Sequence, residues 1–176
     1  DHMWLSGEGV FGLTLGVSCN LVFLFVLYSA LLDKAGAGNW FIMSSMALLG
    51  HLRGGPAKAS VVSSALTGLI SGSALANIVA GGTFTIPLMK RVGFPAEKAA
   101  AIEATSSING QLMPPVMGAA AFLMTEFVGI SYAEVVKHAF LPAIISYISL
   151  FYIVHLEALK MDLPVLRRAV ESTMVR

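Results

Sequence analysis

The sequence predicts an all-α membrane protein: transmembrane helices with a re-entrant helical hairpin and a broken helix. Three observations carry that prediction. Of 176 residues, 56% are hydrophobic and 12% charged, against about 25% charged in soluble domains, and the mean hydropathy is +0.79. Charge is absent from three long runs, Gly9–Leu32, Ala59–Met89 and Ala104–Thr125, and about 20 apolar residues of helix cross a hydrocarbon core about 30 Å thick. Two of those runs are broken by polar stretches rich in Gly or Pro, SGSALANIVAGG (71–82) and NGQLMPP (109–115). The net charge of +1 says nothing about nucleic acid, but no basic face carries interleaved aromatics, so no nucleic-acid partner is expected. Cys19 stands alone, which excludes a disulfide framework or a cysteine metal knuckle.

The first run, Val10–Leu32, is long enough to span and carries Gly12, Gly16, Ser18 and Ala30 for close helix contacts. Trp40–Leu49 is too short to cross. Between Gly-rich flanks, it reads as a short interfacial helix anchored by Trp40.

One helix over Ala59–Met89 would be about 46 Å long, longer than the bilayer core, and tilt absorbs only part of such a mismatch. The break supplies another solution. ASVVSSALTGLI and NIVAGGTFTIPLM become half-length helices of a hairpin, with SGSALANIVAGG as its tip. Irregular backbone at membrane depth persists only where protein or a wet cavity satisfies it. Serine hydroxyls and freed carbonyls there are hard oxygen donors suited to an alkali cation, and the start of the second half-helix suits an anion. The competing reading is a tight helix–helix contact through Ser, Gly and Ala.

A second interruption shifts that balance. AEKAAAIEATSSI runs into Asn109-Gly110-Gln111, then Pro114-Pro115, then PVMGAAAFLM. The prolines lack donors and disfavour helix upstream, and Pro115 suits the first turn of a new helix. The product is a broken helix whose kink carries Asn109 and Gln111. Two interrupted segments in one membrane domain point to a transport site. Glu103 is an acid well inside an apolar run. It is a candidate proton or cation site, with an interfacial place beside Lys98, or a hairpin cap, as open alternatives.

The last span is His138–Leu156, with histidines near both expected interfaces, and the tail MDLPVLRRAVESTMVR is amphipathic and basic. Lys and Arg occur in nearly every connection, so orientation is not readable. Three regions follow: residues 1–55, a scaffold-type span plus interfacial helix; 56–130, the hairpin and broken helix of a transport domain; 131–176, a span and amphipathic tail.

GHLRGGPAKASVV, SGSALANIVAGGTFTIPLMKRVGF and NGQLMPPVMGAAAFLM together closely resemble the large membrane subunit of TRAP (tripartite ATP-independent periplasmic) transporters, above all the fused permeases of the TAXI subgroup. The likeness runs from about Gly7 to Lys160. It implies a multi-pass protein of the bacterial inner membrane, built from inverted repeats of which this chain supplies one half. It further implies a periplasmic substrate-binding protein that delivers a small carboxylate or related organic anion. An ion gradient, usually sodium, drives uptake without ATP; sodium is then a coupling ion, and no other cofactor is implied. Mapped residue by residue, the sodium ligands would be Ser71 and Ser73 at the tip with backbone carbonyls of Gly110, Met113 and Pro114. Asn77, Asn109 and Gln111 would lie nearest the substrate. Many family members carry a second consecutive serine where this chain has Ala74, which leaves proton coupling through Glu103 open. With one hairpin and one broken helix where the family has two of each, the chain is expected to be a piece of a longer protein. Its remaining partners would be the second repeat, helices like those of the small subunit, and membrane lipid.

A channel or passive pore subunit built from the same breaks is the alternative; it predicts flux that does not saturate. Neither HExxH, GxSxG nor a pair of adjacent carboxylates occurs, so an intramembrane enzyme has no support beyond an unconstrained Ser71 or Ser73 with His51.

Overall fold

The computed structural model describes residues 12–163, and every regular element among them is helical. Helix α1 (Leu13–Val17), a π turn (Ser18–Val22) and α2 (Phe23–Lys34) form one helical run, about 33 Å long at 1.5 Å per residue. Helix α3 (Ala37–Leu49) begins upstream of Trp40 and is about 20 Å long. It buries Ile42 and Ser45 and leaves Trp40 exposed.

Two helices then fold back on each other. Helix α4 (Gly55–Ser71) opens with Pro56 in its first turn, where a missing N–H costs nothing. Helix α5 (Ala74–Arg91) begins after only Gly72 and Ser73. This tip is tighter than SGSALANIVAGG as a whole, because Asn77, Gly81 and Gly82 lie inside α5. The cause is a sharp pair of caps. Gly72 ends α4 at φ 57°, a left-handed conformation that costs an L side chain about 1–2 kcal/mol. Ser73 is extended, and its side chain accepts from the Ala76 amide at 3.3 Å, capping α5.

Helix α6 (Ala96–Asn109) passes through a 3-10 turn (Gly110–Leu112) into a turning loop, and α7 (Ala119–Val128) follows. The second half therefore starts at Ala119, not at Pro115 as the sequence suggests. The Pro114–Pro115 bond is cis, and Met117 adopts φ 52°. The Gly118 amide closes the loop on the Gln111 carbonyl at 2.8 Å. Helix α8 (Tyr132–Lys160) has 29 residues and is long and apolar enough to cross a membrane. Ser131 caps it by accepting from the Glu134 amide. The amphipathic tail expected beyond Asp162 lies almost wholly outside the described residues.

The core joins α4, α5, α6 and α8 through Val61, Met89, Phe94, Ile102, Tyr147 and Val154. Unlike a soluble core it is rich in small hydroxyl residues: Ser60, Ser63, Ser64, Thr85, Ser106 and Ser107 are all buried. Large apolar side chains such as Phe23, Leu141, Ile148 and Ile153 instead point outward. That inversion suits lipid, where helices associate through close packing of small residues rather than by removing apolar surface from water.

Candidate functional site at the paired helix breaks

The two interruptions meet. A Cβ on Gly72 would collide with the Met117 carbonyl, so the hairpin tip rests on the loop of the broken helix. One turn earlier, a Cβ on Gly68 would stand 2.7 Å from the Gly110 Cα and 2.8 Å from its carbonyl oxygen. Backbone touches backbone here, which only glycine permits. Asn77 completes the junction: its Nδ2 donates to the Ser64 carbonyl at 3.1 Å, tying the hairpin arms together across their short tip. The same nitrogen lies 3.1 Å from where a Gly110 Cβ would be.

The tip serines are partly committed. Ser71 Oγ accepts from the Ser73 amide at 3.4 Å and Ser73 Oγ from Ala76. Each hydroxyl keeps its own hydrogen and a further lone pair. Both side chains line a cavity of about 380 Å³ between the hairpin and α2–α3, with Ser29, Asp33 and Thr67. Sequence reasoning missed these three. Asp33 marks the end of an apolar run and reads there as an interfacial boundary; only tertiary packing carries it to the tip.

The Gly110 and Met113 carbonyls accept from the Met113 and Met117 amides, both at 3.2 Å, which leaves each a second lone pair. Pro114 is buried beside them. Hard oxygens therefore gather on both sides of the junction. No cluster of three or more His, Cys, Asp or Glu occurs among the described residues.

The expected substrate residues do not come together. Asn77 is 2% exposed and spent on the hairpin. Asn109 is half-buried. Gln111 is exposed and lines a different cavity of about 640 Å³, between the break loop and α7–α8, with His138. Glu103 does not pair with Lys98, which pairs with Glu157 instead. It is 1% exposed, between α4, α5 and α6, and its Oε2 lies 2.6 Å from the hydroxyls of Ser60 and Thr85.

A latch holds the break loop from outside. Tyr132 stacks on Phe122 at 5.0 Å and leans on Phe25 at 5.8 Å. Its hydroxyl reaches the Pro115 carbonyl and, at 2.9 Å, that of Val116. On the inner side, Tyr147 donates to the Ser106 carbonyl at 3.0 Å.

Residues 9–176 match the family described as tripartite ATP-independent periplasmic transporter, DctM component. The chain belongs to this DctM family. Similar relatives include the C4-dicarboxylate TRAP transporter large permease protein of Rhodobacter capsulatus, 36% identical over 52% of this chain and 21% of the relative. The ectoine TRAP transporter large permease protein of Halomonas elongata is 33% identical over 54% of this chain and 22% of the relative. A putative TRAP transporter large permease protein of Haemophilus influenzae is 27% identical over 69% and 28%. The DctM-family chain thus spans less than a third of the length of each of these relatives.

Proposed function

We propose that the chain forms one hairpin and broken-helix unit of a multi-pass TRAP permease of the bacterial inner membrane. The assembled permease takes up a small carboxylate or related organic anion from a periplasmic binding protein, driven by an ion gradient, with sodium as the coupling ion. The observation that carries this reading is the meeting of the hairpin tip with the helix break, Gly72 on Met117 and Gly68 on Gly110. Such paired discontinuities place hydroxyl and carbonyl oxygens where an ion can bind and order two elements at once. Ser71, Ser73, Gly110, Met113 and Pro114 would hold it, with Asp33 near enough to the tip serines to share their cavity.

The coupling logic is reciprocal. An ion that docks the tip on the break favours the docked state, and a substrate that needs that state gains affinity by the same factor. A C4-dicarboxylate and ectoine in the names of two relatives show the family's scaffold serving different cargo, so the anion class rests on the resemblance in the motifs. Asn109 and Gln111, at the break's surface, are the side chains offered to cargo.

The test is uptake by the full permease in proteoliposomes with its binding protein, sodium and proton gradients being imposed separately. Wild type is compared with Ser71→Ala and Ser73→Gly. Glycine removes the Ser73 oxygen but keeps most of the cap, since Ser and Gly differ there by a few tenths of a kcal/mol. Saturable, sodium-dependent uptake whose sodium requirement rises in both variants supports the site. Flux linear in substrate and independent of the binding protein would make the assembly a passive pore.

A further inference from the structure

Glu103 stands outside the ion site described above, and its surroundings say which protonation state they were built for. It is the only acid inside the Ala59–Thr125 stretch apart from Glu97 near the start of α6. Its Oε2 meets one hydroxyl from each hairpin arm, Ser60 on α4 and Thr85 on α5, both at 2.6 Å. Its Oε1 is buried with no other partner than the Ser107 hydroxyl, which lies one turn along α6 and against the carboxyl and bonds to nothing else. A Cβ on Gly81 would stand 2.8 Å from Oε1 and one on Gly82 3.2 Å from Cγ. The paired glycines are thus the recess that admits the carboxyl group.

The hydrogens can be counted. Thr85 has one hydroxyl hydrogen and two acceptors in reach, Glu103 Oε2 and the Gly81 carbonyl at 3.1 Å. If Glu103 is ionised, Thr85 must choose, and Oε1 bears half a negative charge in a dry recess with only the Ser107 hydroxyl to meet it and no cation. If Oε2 carries a proton, the chain closes. Ser60 donates to Oε2, Oε2–H donates to Thr85 Oγ1, and Thr85 donates to Gly81. Oε1 is then a neutral carbonyl oxygen, for which the Ser107 hydroxyl is partner enough, whereas a buried carboxylate oxygen with no cation beside it is costly.

Nor is there a cation to offset a charge. The charged and titratable groups on the surrounding helices are Lys58 on α4, Lys90 and Arg91 in the last turn of α5, and Glu97 and Lys98 in the first turns of α6. On α8 they are Tyr132, Glu134, Lys137, His138, Tyr147, Tyr152, His155, Glu157 and Lys160. Among the described residues the ion pairs are Arg53–Asp162 and Lys98–Glu157; none reaches Glu103.

We propose that Glu103 is a proton-binding site, separate from the helix-break site, that holds its proton while the hairpin is docked on the broken helix and releases it when the two separate. The ligand is a proton drawn from water, and the bond made or broken is Oε2–H. Docking surrounds the carboxyl with Ser60, Thr85 and Gly81 and favours the neutral form; separation wets it and favours the carboxylate. Its place in a transport cycle rests on the transporter reading, but the bound proton itself does not.

The test combines infrared spectroscopy and transport on the full permease in liposomes. The difference spectrum of wild type minus Glu103→Gln at neutral pH is expected to show a protonated-carboxyl carbonyl band that shifts in D2O. Thr85→Val, which keeps the carboxyl and removes one partner, should shift that band. In uptake, Glu103→Gln, a permanent mimic of the neutral form, should lose the dependence of rate on external pH that wild type shows. A carboxylate band from Glu103 at neutral pH, a band unmoved by Thr85→Val, or a wild-type pH profile in Glu103→Gln each overturns the proposal. So does displacement of the band by sodium, which would make the recess a sodium site. Ser73→Gly should leave the band in place, so failure of the tip site and failure of this one are read separately.

Discussion

Replacing Gly68 by alanine isolates the contact on which the site depends. In the middle of a helix the exchange is ordinarily favourable by about 1 kcal/mol, because alanine has the better helix propensity. Gly68 has no left-handed φ to forbid a side chain, so nothing local opposes it. Opposition comes only from Gly110, whose Cα and carbonyl oxygen stand 2.7 and 2.8 Å from the new methyl. Overpacking costs about 1–3 kcal/mol, and the upper end applies here because backbone cannot rotate aside as a side chain would. The net expectation is a loss of about 2 kcal/mol. At roughly 2–4 °C per kcal/mol for 150–250 residues, the melting midpoint in detergent should fall by about 4–8 °C. Gly16→Ala is the matched control: its Cβ meets nothing within 4 Å, so only the propensity gain remains and the midpoint should rise. If Gly68→Ala also raises the midpoint, the hairpin is not seated on Gly110 and the site as described is wrong.

Three other substitutions probe the same junction. Gly72→Ala combines a left-handed φ of 57° with a collision on the Met117 carbonyl; a loss of at least about 1–2 kcal/mol should appear as faster proteolysis at the tip. Tyr147→Phe removes the donor to the buried Ser106 carbonyl, and a fall of about 1 kcal/mol in unfolding free energy is expected; an unchanged midpoint would show that the carbonyl finds water. Tyr132→Phe keeps the stack on Phe122 and drops the tether to Val116. Cysteine labelling of the break loop should then speed up with little change in the melting midpoint.

Much of the fold was legible in local chemistry. The charge-free runs marked the helices, and Gly72, Pro114 and Pro115 marked both breaks, because each imposes a backbone constraint that needs no partner to act. The expected half-helices ASVVSSALTGLI and NIVAGGTFTIPLM lie within α4 and α5. Local signals failed where a residue's role depends on what lies opposite. Gly81 and Gly82 look like helix breakers, yet they sit inside α5 because Glu103 fills the space they leave. Pro115 looks like a helix start, yet the chain turns without forming helix until Ala119, with Gln111 and Tyr132 binding the loop.

The sequence by itself therefore determined the helical class, the two discontinuities and the membership of the DctM family, all of which follow from composition, backbone chemistry and motif. Only tertiary structure decided that the breaks touch, that Asp33 joins the tip serines, that Asn77 ties the hairpin instead of facing outward, and that Glu103 is walled in by both arms. Those facts turn on close approaches, or on a shared cavity, between residues far apart in the chain, and no periodicity or spacing encodes which distant atoms will meet.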